Sequence, residues 1–128
     1  MWVVERDGVI VGTTSFLDVS VHDARLEIGS TMYARSEWGS DLNPTCKYLL
    51  MSYAFGELGM ARVQLKTDIR NLRSRNAIER LGAHLEGVLR RYQRRTDGTV
   101  RDTVMYSVVA EEWPSARDGL IARIPRVD

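Results

Sequence analysis

The middle of the chain changes its hydrophobic period from two to about 3.6 and back to two, and this change constrains the fold most. Residues 25–33 read as a strand, and residues 44–58 repeat apolar side chains at the spacing of one buried helix face. Val63, Leu65 and Thr67 then alternate with polar side chains, as in a strand with one solvated face. A strand, a helix and a second strand in this order predict a right-handed parallel crossover.

The predicted helix has recognisable signals at both ends. Asn43 is a favourable N-cap, Pro44 suits the first helical position, and Gly59 suits the exit. The turn before the helix reads Trp-Gly-Ser-Asp at 38–41. A strand, a small-residue turn and a helix N-terminus place free backbone N–H groups around one point, with the positive end of the helix dipole behind them. This arrangement predicts a site for a phosphate or diphosphate group, and therefore a nucleotide-bearing cofactor.

The segments on either side of the crossover predict antiparallel pairing. The expected strands before it are residues 1–6, 9–21 and 25–33, joined by turns at 7–8 and 22–24. The expected elements after it are a helix at 72–81, strands at 83–95 and 100–110, and a short helix within 111–124. The chain is therefore predicted to be one α+β domain over residues 1–128. Its mixed, twisted sheet is expected to change from an antiparallel meander to a parallel β-α-β crossover.

Size and composition exclude several classes of protein. The 128 residues, 44% hydrophobic and 27% charged, are typical of an ordinary soluble globular domain. A formal net charge of +1 argues against a dedicated nucleic-acid surface. No segment approaches the ~20 apolar residues that span a bilayer, and no signal peptide is recognisable, so we expect no membrane partner and a cytoplasmic location. Cys46 is the single cysteine, which disfavours a cysteine-built metal site, and we expect no metal.

Several short motifs occur together in one order and spacing. They are Ile-Gly at 28–29, Trp-Gly at 38–39, Tyr-Ala-Phe at 53–55, Asn-Leu-Arg-Ser at 71–74, Leu-Gly at 81–82, Leu-Glu-Gly at 85–87, and Asp102 with Tyr106. Together, over about residues 9–114, they resemble the GCN5-related N-acetyltransferase (GNAT) superfamily. More narrowly, they resemble the branch that contains ribosomal-protein N-terminal acetyltransferases of the RimJ/RimL type.

The resemblance implies an acetyl-coenzyme A-dependent N-acetyltransferase. Such an enzyme moves the acetyl group to a primary amine, on a protein N-terminus or a small molecule, by direct attack. By position, it implies that backbone groups of residues 32–34 bond the pantetheine arm like an added strand and that amides of residues 38–43 hold the diphosphate. It also implies that Asn71 bonds the cofactor near its pantetheine. The implied cofactor-binding residues are Met32, Tyr33, Ala34, Trp38, Gly39, Ser40, Asp41, Leu42, Asn43, Asn71 and Ser74.

Two residues are candidates for the proton transfers of such a reaction. An ammonium has no lone pair, and the pKa of a protein N-terminus is about 8, so the amine must lose a proton before it attacks. Glu27, on the strand before the turn, is the candidate base, directly or through water. Ser74 is expected near the sulfur, where it can donate a proton to the leaving thiolate. The spacing of Asn71 and Ser74 also fits two helix-capping residues, and this alternative stays open.

The sequence departs from the family pattern at the phosphate loop and on the second helix. The usual loop is Gln/Arg-x-x-Gly-x-Gly/Ala, whereas this chain has Ser36 at the first position and Asp41 at the last. A carboxylate beside a diphosphate is repelled unless it points outward, which predicts weaker cofactor binding. Ile78 stands where many members carry a general-acid tyrosine.

The resemblance also implies a first strand and two helices that have no counterpart before Met1. We therefore expect an N-terminally truncated domain, or a second subunit that supplies the missing wall of the acceptor site. An edge strand and a partly bare apolar sheet face favour self-association, which predicts a homodimer. The alternative function is a catalytically inactive module of this fold that binds coenzyme A or dimerises.

Overall fold

Six strands form one mixed sheet, and the computed structural model describes residues 1–125 of the chain. The strands are β1 (Trp2–Arg6), β2 (Val9–Ser20), β3 (Arg25–Tyr33), β4 (Arg62–Asp68), β5 (His84–Arg94) and β6 (Val100–Val109). The helices within these residues are α1 (Leu42–Ser52), α2 (Leu72–Arg80) and α3 (Trp113–Ala122). The strand order is β1-β2-β3-β4-β6-β5, in which β3 and β4 are parallel and the other neighbours antiparallel. The predicted α+β class and mixed sheet are confirmed.

The parallel pair is short, and its two strands then diverge. Pairing runs from Arg25 opposite Arg62 to Glu27 opposite Gln64 and goes no further. Just beyond, β3 carries one extra residue relative to β2, and Ser30 in this bulge has a left-handed φ of 50°. A bulge bends its strand and increases the local twist. The carboxyl ends of β3 and β4 therefore separate and leave a V-shaped opening in the sheet.

The main core covers one face of the sheet. On β4 the buried residues alternate, so that Val63, Leu65 and Thr67 face the helices. Tyr106 of β6 is fully buried beside them, and its hydroxyl donates to Glu79 Oε1 on α2 at 2.9 Å. The helical contributors to this core are Leu50, Met51, Ala54, Ile78, Trp113, Ala116 and Leu120. Burial of these side chains fixes all three helices on the same face.

Helix α1 begins two residues earlier than the sequence signals indicate. Its N-cap is Asp41, so the assignment of the N-cap to Asn43 was wrong. The Ser40 hydroxyl accepts the Leu42 N–H at 3.2 Å, and Thr45 donates both its N–H and its hydroxyl to the Asp41 carbonyl. These bonds pair the Leu42 and Thr45 N–H groups of the first turn and place the N-cap two residues before the predicted position. The α-helical part of the predicted helix ends at Ser52, and residues 53–57 continue it as a π-helix toward the predicted end near residue 58. The other predicted elements are confirmed, with boundaries that agree to within two residues.

None of the helices in residues 1–125 has both the length and the apolar character that crossing a membrane requires.

Neighbouring leucines on α1 provide a test of which helix face is buried. Leu50 is 8% exposed and belongs to the core, whereas Leu49 is 60% exposed. Replacing Leu50 with Ala is expected to lower the free energy of unfolding by about 2–4 kcal/mol, because a cavity remains in the core. The Leu49→Ala change should stay within about 0.5 kcal/mol. Urea denaturation measures both, and equal losses would show that α1 is rotated from its described position.

Candidate active site

The opening between β3 and β4 continues into a cleft of about 1190 Å³. Glu27 and Lys66 line it from one face of the sheet, and Ile78 and Leu120 line it from the helix face, so the cleft passes through the sheet plane. The predicted site residues that line it are Glu27, Met32, Tyr33, Trp38, Gly39, Ser40, Asp41, Asn43, Asn71 and Ser74. The crossover brings these residues together, and the ligand that each one binds stays a prediction.

Two of the predicted ligand-binding residues form backbone hydrogen bonds within the protein. The Ala34 N–H donates to the Val11 carbonyl on β2 at 2.7 Å, and the Ala34 carbonyl accepts the Glu37 N–H at 2.9 Å. Leu42 is 4% exposed and its N–H is bonded to Ser40. Neither residue lines the cleft. The N–H groups of Ala34 and Leu42 are thus bonded within the protein, and the assignment of these residues as ligand contacts stays a prediction.

The loop between β3 and α1 has three unpaired backbone N–H groups, and they do not follow one another directly in the sequence. The N–H groups of Trp38 and Ser40 donate to carbonyls of the preceding turn, at 3.2 and 3.1 Å. Within residues 1–125, the N–H groups of Gly39, Asp41 and Asn43 donate to no protein acceptor. Gly39 has a φ of 78°, and a Cβ at this position would have no atom within 4 Å, so backbone conformation rather than crowding favours glycine. Three unpaired amides at the start of α1 suit an anion.

The carboxylate of Asp41, a residue that lines the cleft, is bonded to Arg6. Arg6 lies on β1 and bonds Asp41 Oδ1 at 2.7 Å and Glu37 Oε2 at 3.0 Å. Arg6 itself does not line the cleft. One arginine thus compensates part of the negative charge of Glu37 and Asp41 within the protein.

Trp38 connects the two walls at the mouth of the cleft. Its ring centroid lies 3.5 Å from Cζ of Arg73, which extends from α2 on the opposite wall. Arg35 approaches the same ring at 5.4 Å, and the indole N–H donates to the Tyr33 carbonyl at 3.2 Å. A guanidinium over an indole is a favourable cation–π pair. The pair places one cation of α2 beside the loop.

Asn71 and Ser74 start α2 and face the same cleft. The Asn71 side-chain oxygen accepts the Ser74 N–H at 3.1 Å, so Asn71 is the N-cap of α2 and its alternative assignment as a capping residue is confirmed. Its side-chain NH₂ remains available to a ligand. The Ser74 hydroxyl forms no hydrogen bond within the described residues, and it is half-buried in the cleft wall.

Glu27 lies at the apex, where β3 and β4 separate. It is 1% exposed, its Oε1 accepts from Gln64 at 2.9 Å, and its Oε2 lies 3.4 Å from the Lys66 ammonium. A Cβ on Gly29 would lie 3.2 Å from the Glu27 carboxylate and 2.8 Å from Leu17, so glycine leaves room beside the acid. The arrangement is a buried, charge-compensated carboxylate at the narrow end of the cleft. It can accept a proton or a hydrogen bond from a cationic group placed there.

Three charged residues in or beside the cleft were not predicted from the sequence. Lys47 follows Asn43 by one helical turn, which is a signal for a shared face. Arg73 lies within the Asn-Leu-Arg-Ser motif, but its contact with Trp38 depends on the fold. Arg6 is separated from Asp41 by 35 positions, and no local pattern marks such a contact.

Comparisons with known proteins place the chain among acetyltransferases. Residues 1–84 match the family model described as acetyltransferase (GNAT) domain. The chain is 27% identical over 111 residues to the uncharacterized N-acetyltransferase p20 of Bacillus licheniformis, covering 87% of this chain and 61% of that protein. It thus spans about three fifths of the length of this curated relative.

Two solved structures show the same fold. A GCN5-related N-acetyltransferase from Brucella melitensis is 29% identical, with a TM-score of 0.85, over 90% of this chain and 52% of that one. RimJ of Mycobacterium smegmatis, solved in complex with CoA-disulfide, is 28% identical, with a TM-score of 0.82, over 94% of this chain and 57% of that one.

The Arg6 contacts predict how the loop responds when its cation is removed. In an Arg6→Met variant, Glu37 and Asp41 lose their shared partner and repel each other, so the loop should open more often. Amide exchange at Trp38 and Ser40 is expected to accelerate about tenfold, equivalent to about 1.4 kcal/mol of local stability. The matched control is Arg25→Met, which removes an exposed pair with Asp23 at 3.8 Å. Unchanged exchange in Arg6→Met would contradict the holding role.

Proposed function

Because this chain belongs to the GNAT family of acetyltransferases, we propose that it transfers an acetyl group from acetyl-coenzyme A to a primary amine. One observation carries the proposal: the cleft between the separated ends of β3 and β4 leads to three unpaired amides at the start of α1. Such a cleft offers a long ligand one binding site for an anion and an open strand edge beside it.

The cofactor is proposed to lie along β3. Beyond Glu27, β3 has no partner strand on the side of β4, so its backbone groups between Ile28 and Tyr33 border the cleft. Amide groups of an extended ligand can pair with such an edge as an added strand does. The diphosphate is assigned to the amides of Gly39, Asp41 and Asn43. The Asn71 side-chain NH₂ is placed to hold the arm from the opposite wall.

Acetyl-coenzyme A supplies an activated acetyl thioester, and attack by an amine forms an amide and releases a thiol. Glu27 is proposed to accept the proton of the attacking amine, directly or through one water, since Lys66 and Gln64 hold the carboxylate in place. Ser74 is proposed to donate a hydrogen bond to the departing sulfur. Because the reference pKa of a thiol is about 8.5, this assistance is a modest part of the barrier. Positioning in the cleft is expected to contribute more.

The acceptor is proposed to be a protein N-terminus, as in the RimJ/RimL branch. The resemblance of the sequence motifs to that branch supports this choice over a small-molecule amine. The reaction is proposed to take place in the cytoplasm, within one domain over residues 1–128.

We also propose a homodimer, because the β1–β2 edge exposes Trp2, Val3 and Ile10 by 44%, 55% and 65%.

The first test is calorimetry with acetyl-coenzyme A, followed by turnover with a panel of N-terminal peptides and small amines. Micromolar binding and acetylation of a peptide α-amine are expected. Binding without turnover of any amine would favour the alternative of a catalytically inactive coenzyme A-binding module. No binding by folded protein at millimolar acetyl-coenzyme A would refute both.

The Ser74→Ala variant separates assistance to the leaving group from binding. Turnover is expected to fall only about tenfold, because the thiol leaves without much help. The Kd for acetyl-coenzyme A should stay within about twofold. The control is Ser52→Ala, because Ser52 lies on α1 and does not line the cleft. Equal turnover in the Ser74→Ala and Ser52→Ala variants would remove Ser74 from the mechanism.

A further inference from the structure

Lys47 is a buried cation that faces the cleft without an anionic partner. Its side chain is 8% exposed and projects from α1 one turn after Asn43. The ammonium donates to Asn43 Oδ1 at 3.2 Å, and the same oxygen accepts the Tyr33 hydroxyl at 2.9 Å. An ammonium carries three N–H donors. Within residues 1–125, Asn43 is the one acceptor bonded to it, and no carboxylate forms an ion pair with it.

The surrounding ionisable groups do not neutralise this cation. Burial raises the pKa of both Cys46 and Tyr33, so both are neutral near pH 7. The loop carboxylates, Glu37 and Asp41, are bonded to Arg6. Burial of a charge without a counterion opposes folding. It also lowers the pKa of Lys47 to about 8. The ligand-free fold therefore retains an uncompensated charge at considerable cost.

The position of this charge indicates what compensates it. Lys47 lies on the same face of α1 as Asn43, whose N–H is one of the three unpaired amides. The positive end of the α1 dipole adds to the same field. An anion bound at these amides would find the ammonium one helical turn further into the cleft, with two N–H donors unused.

We propose that Lys47 is the cation that binds the diphosphate of the cofactor, so that cofactor binding and protonation of this lysine are coupled. The inference rests on the proposed function, in which the diphosphate occupies the start of α1. A bound anion stabilises the ammonium, so the pKa of Lys47 rises in the complex. Binding above pH 8 then takes up a proton, and affinity falls as the pH rises through the free-state pKa. Below about pH 7, where about nine tenths of Lys47 is already protonated, affinity is independent of this group.

The test compares Lys47→Met and Lys47→Arg with the wild type by calorimetry. At pH 7, Lys47→Met is expected to weaken binding of coenzyme A and of inorganic pyrophosphate at least tenfold. Binding of acetyl-pantetheine, which lacks the diphosphate, should be unchanged. Between pH 7 and pH 9.5 the wild-type affinity for coenzyme A should fall at least fivefold, whereas Lys47→Arg should keep its affinity. In buffers of different ionisation enthalpy at pH 8.5, the wild type should take up roughly 0.5–0.75 proton and Lys47→Met none.

Thermal unfolding separates this role from a structural one. Removal of an uncompensated buried charge should leave the Tm of Lys47→Met unchanged or higher. Arg117→Met is the matched control, since it also removes one positive charge but lies outside the cleft. The chain has two lysines, Lys47 and Lys66, so ¹⁵N-lysine labelling resolves the Lys47 ammonium and its pKa directly.

The outcomes distinguish the role of Lys47 from the proposed acetyltransferase function. Unchanged coenzyme A affinity in Lys47→Met, or equal weakening for acetyl-pantetheine, overturns the role of Lys47 while leaving the acetyltransferase assignment intact. Absence of coenzyme A binding by the folded wild type overturns both.

Discussion

The separation of β3 from β4 creates the cleft and determines which elements form its walls. Two parallel strands in one sheet normally continue to pair, since each unpaired backbone group loses a hydrogen bond. Here pairing stops at Glu27 and Gln64, and the Ser30 bulge turns β3 outward. The consequence is a cleft through the sheet, with strand backbone on one wall and the α2 N-terminus on the other. The core on the helix face stabilises this open arrangement, because α1 and α2 both pack on the strands that part.

The charges around the cleft are arranged unevenly. Its carboxylates are each paired within the described residues: Glu27 with Lys66, and Glu37 and Asp41 with Arg6. Lys47 has no such partner there, and Arg73 contacts an indole rather than an acid. A cleft whose acids are paired and which also holds unpaired cations attracts anions and concentrates them at its positive end. The same ion pairs bear on Asp41, because its bond to Arg6 reduces the repulsion between its carboxylate and an anion in the cleft.

Periodicity was sufficient to predict the elements and the crossover, because burial of one face imposes a period of two on β4 and 3.6 on α1. Details that depend on competing hydrogen bonds were not accessible in this way. The bonds of Ser40 and Thr45 move the N-cap of α1 to Asp41, and the Ala34 N–H is bonded to β2. Contacts between distant residues were also missed, since nothing local marks Arg6 as a partner of Asp41. Motif resemblance predicted Asn71 and Ser74 near the ligand, and their spacing also predicted the capping bond that the Asn71 oxygen forms at the start of α2.

The dimensions of the cleft narrow the class of ligand further than its chemistry does alone. Glu27 at the apex and Tyr33 at the end of β3 are six positions apart, which corresponds to about 20 Å at a rise of about 3.3 Å per residue. The anion site begins just after Tyr33, and the one buried acid of the cleft lies at Glu27. A compact anion can bind only at the anion site, and an uncharged amine can bind only at Glu27. A ligand that uses both must be long and extended, with its negative charge at one end and its reacting group at the other. Acetyl-coenzyme A, the proposed cofactor, has this form, and the spacing of these two sites along β3 supports that proposal.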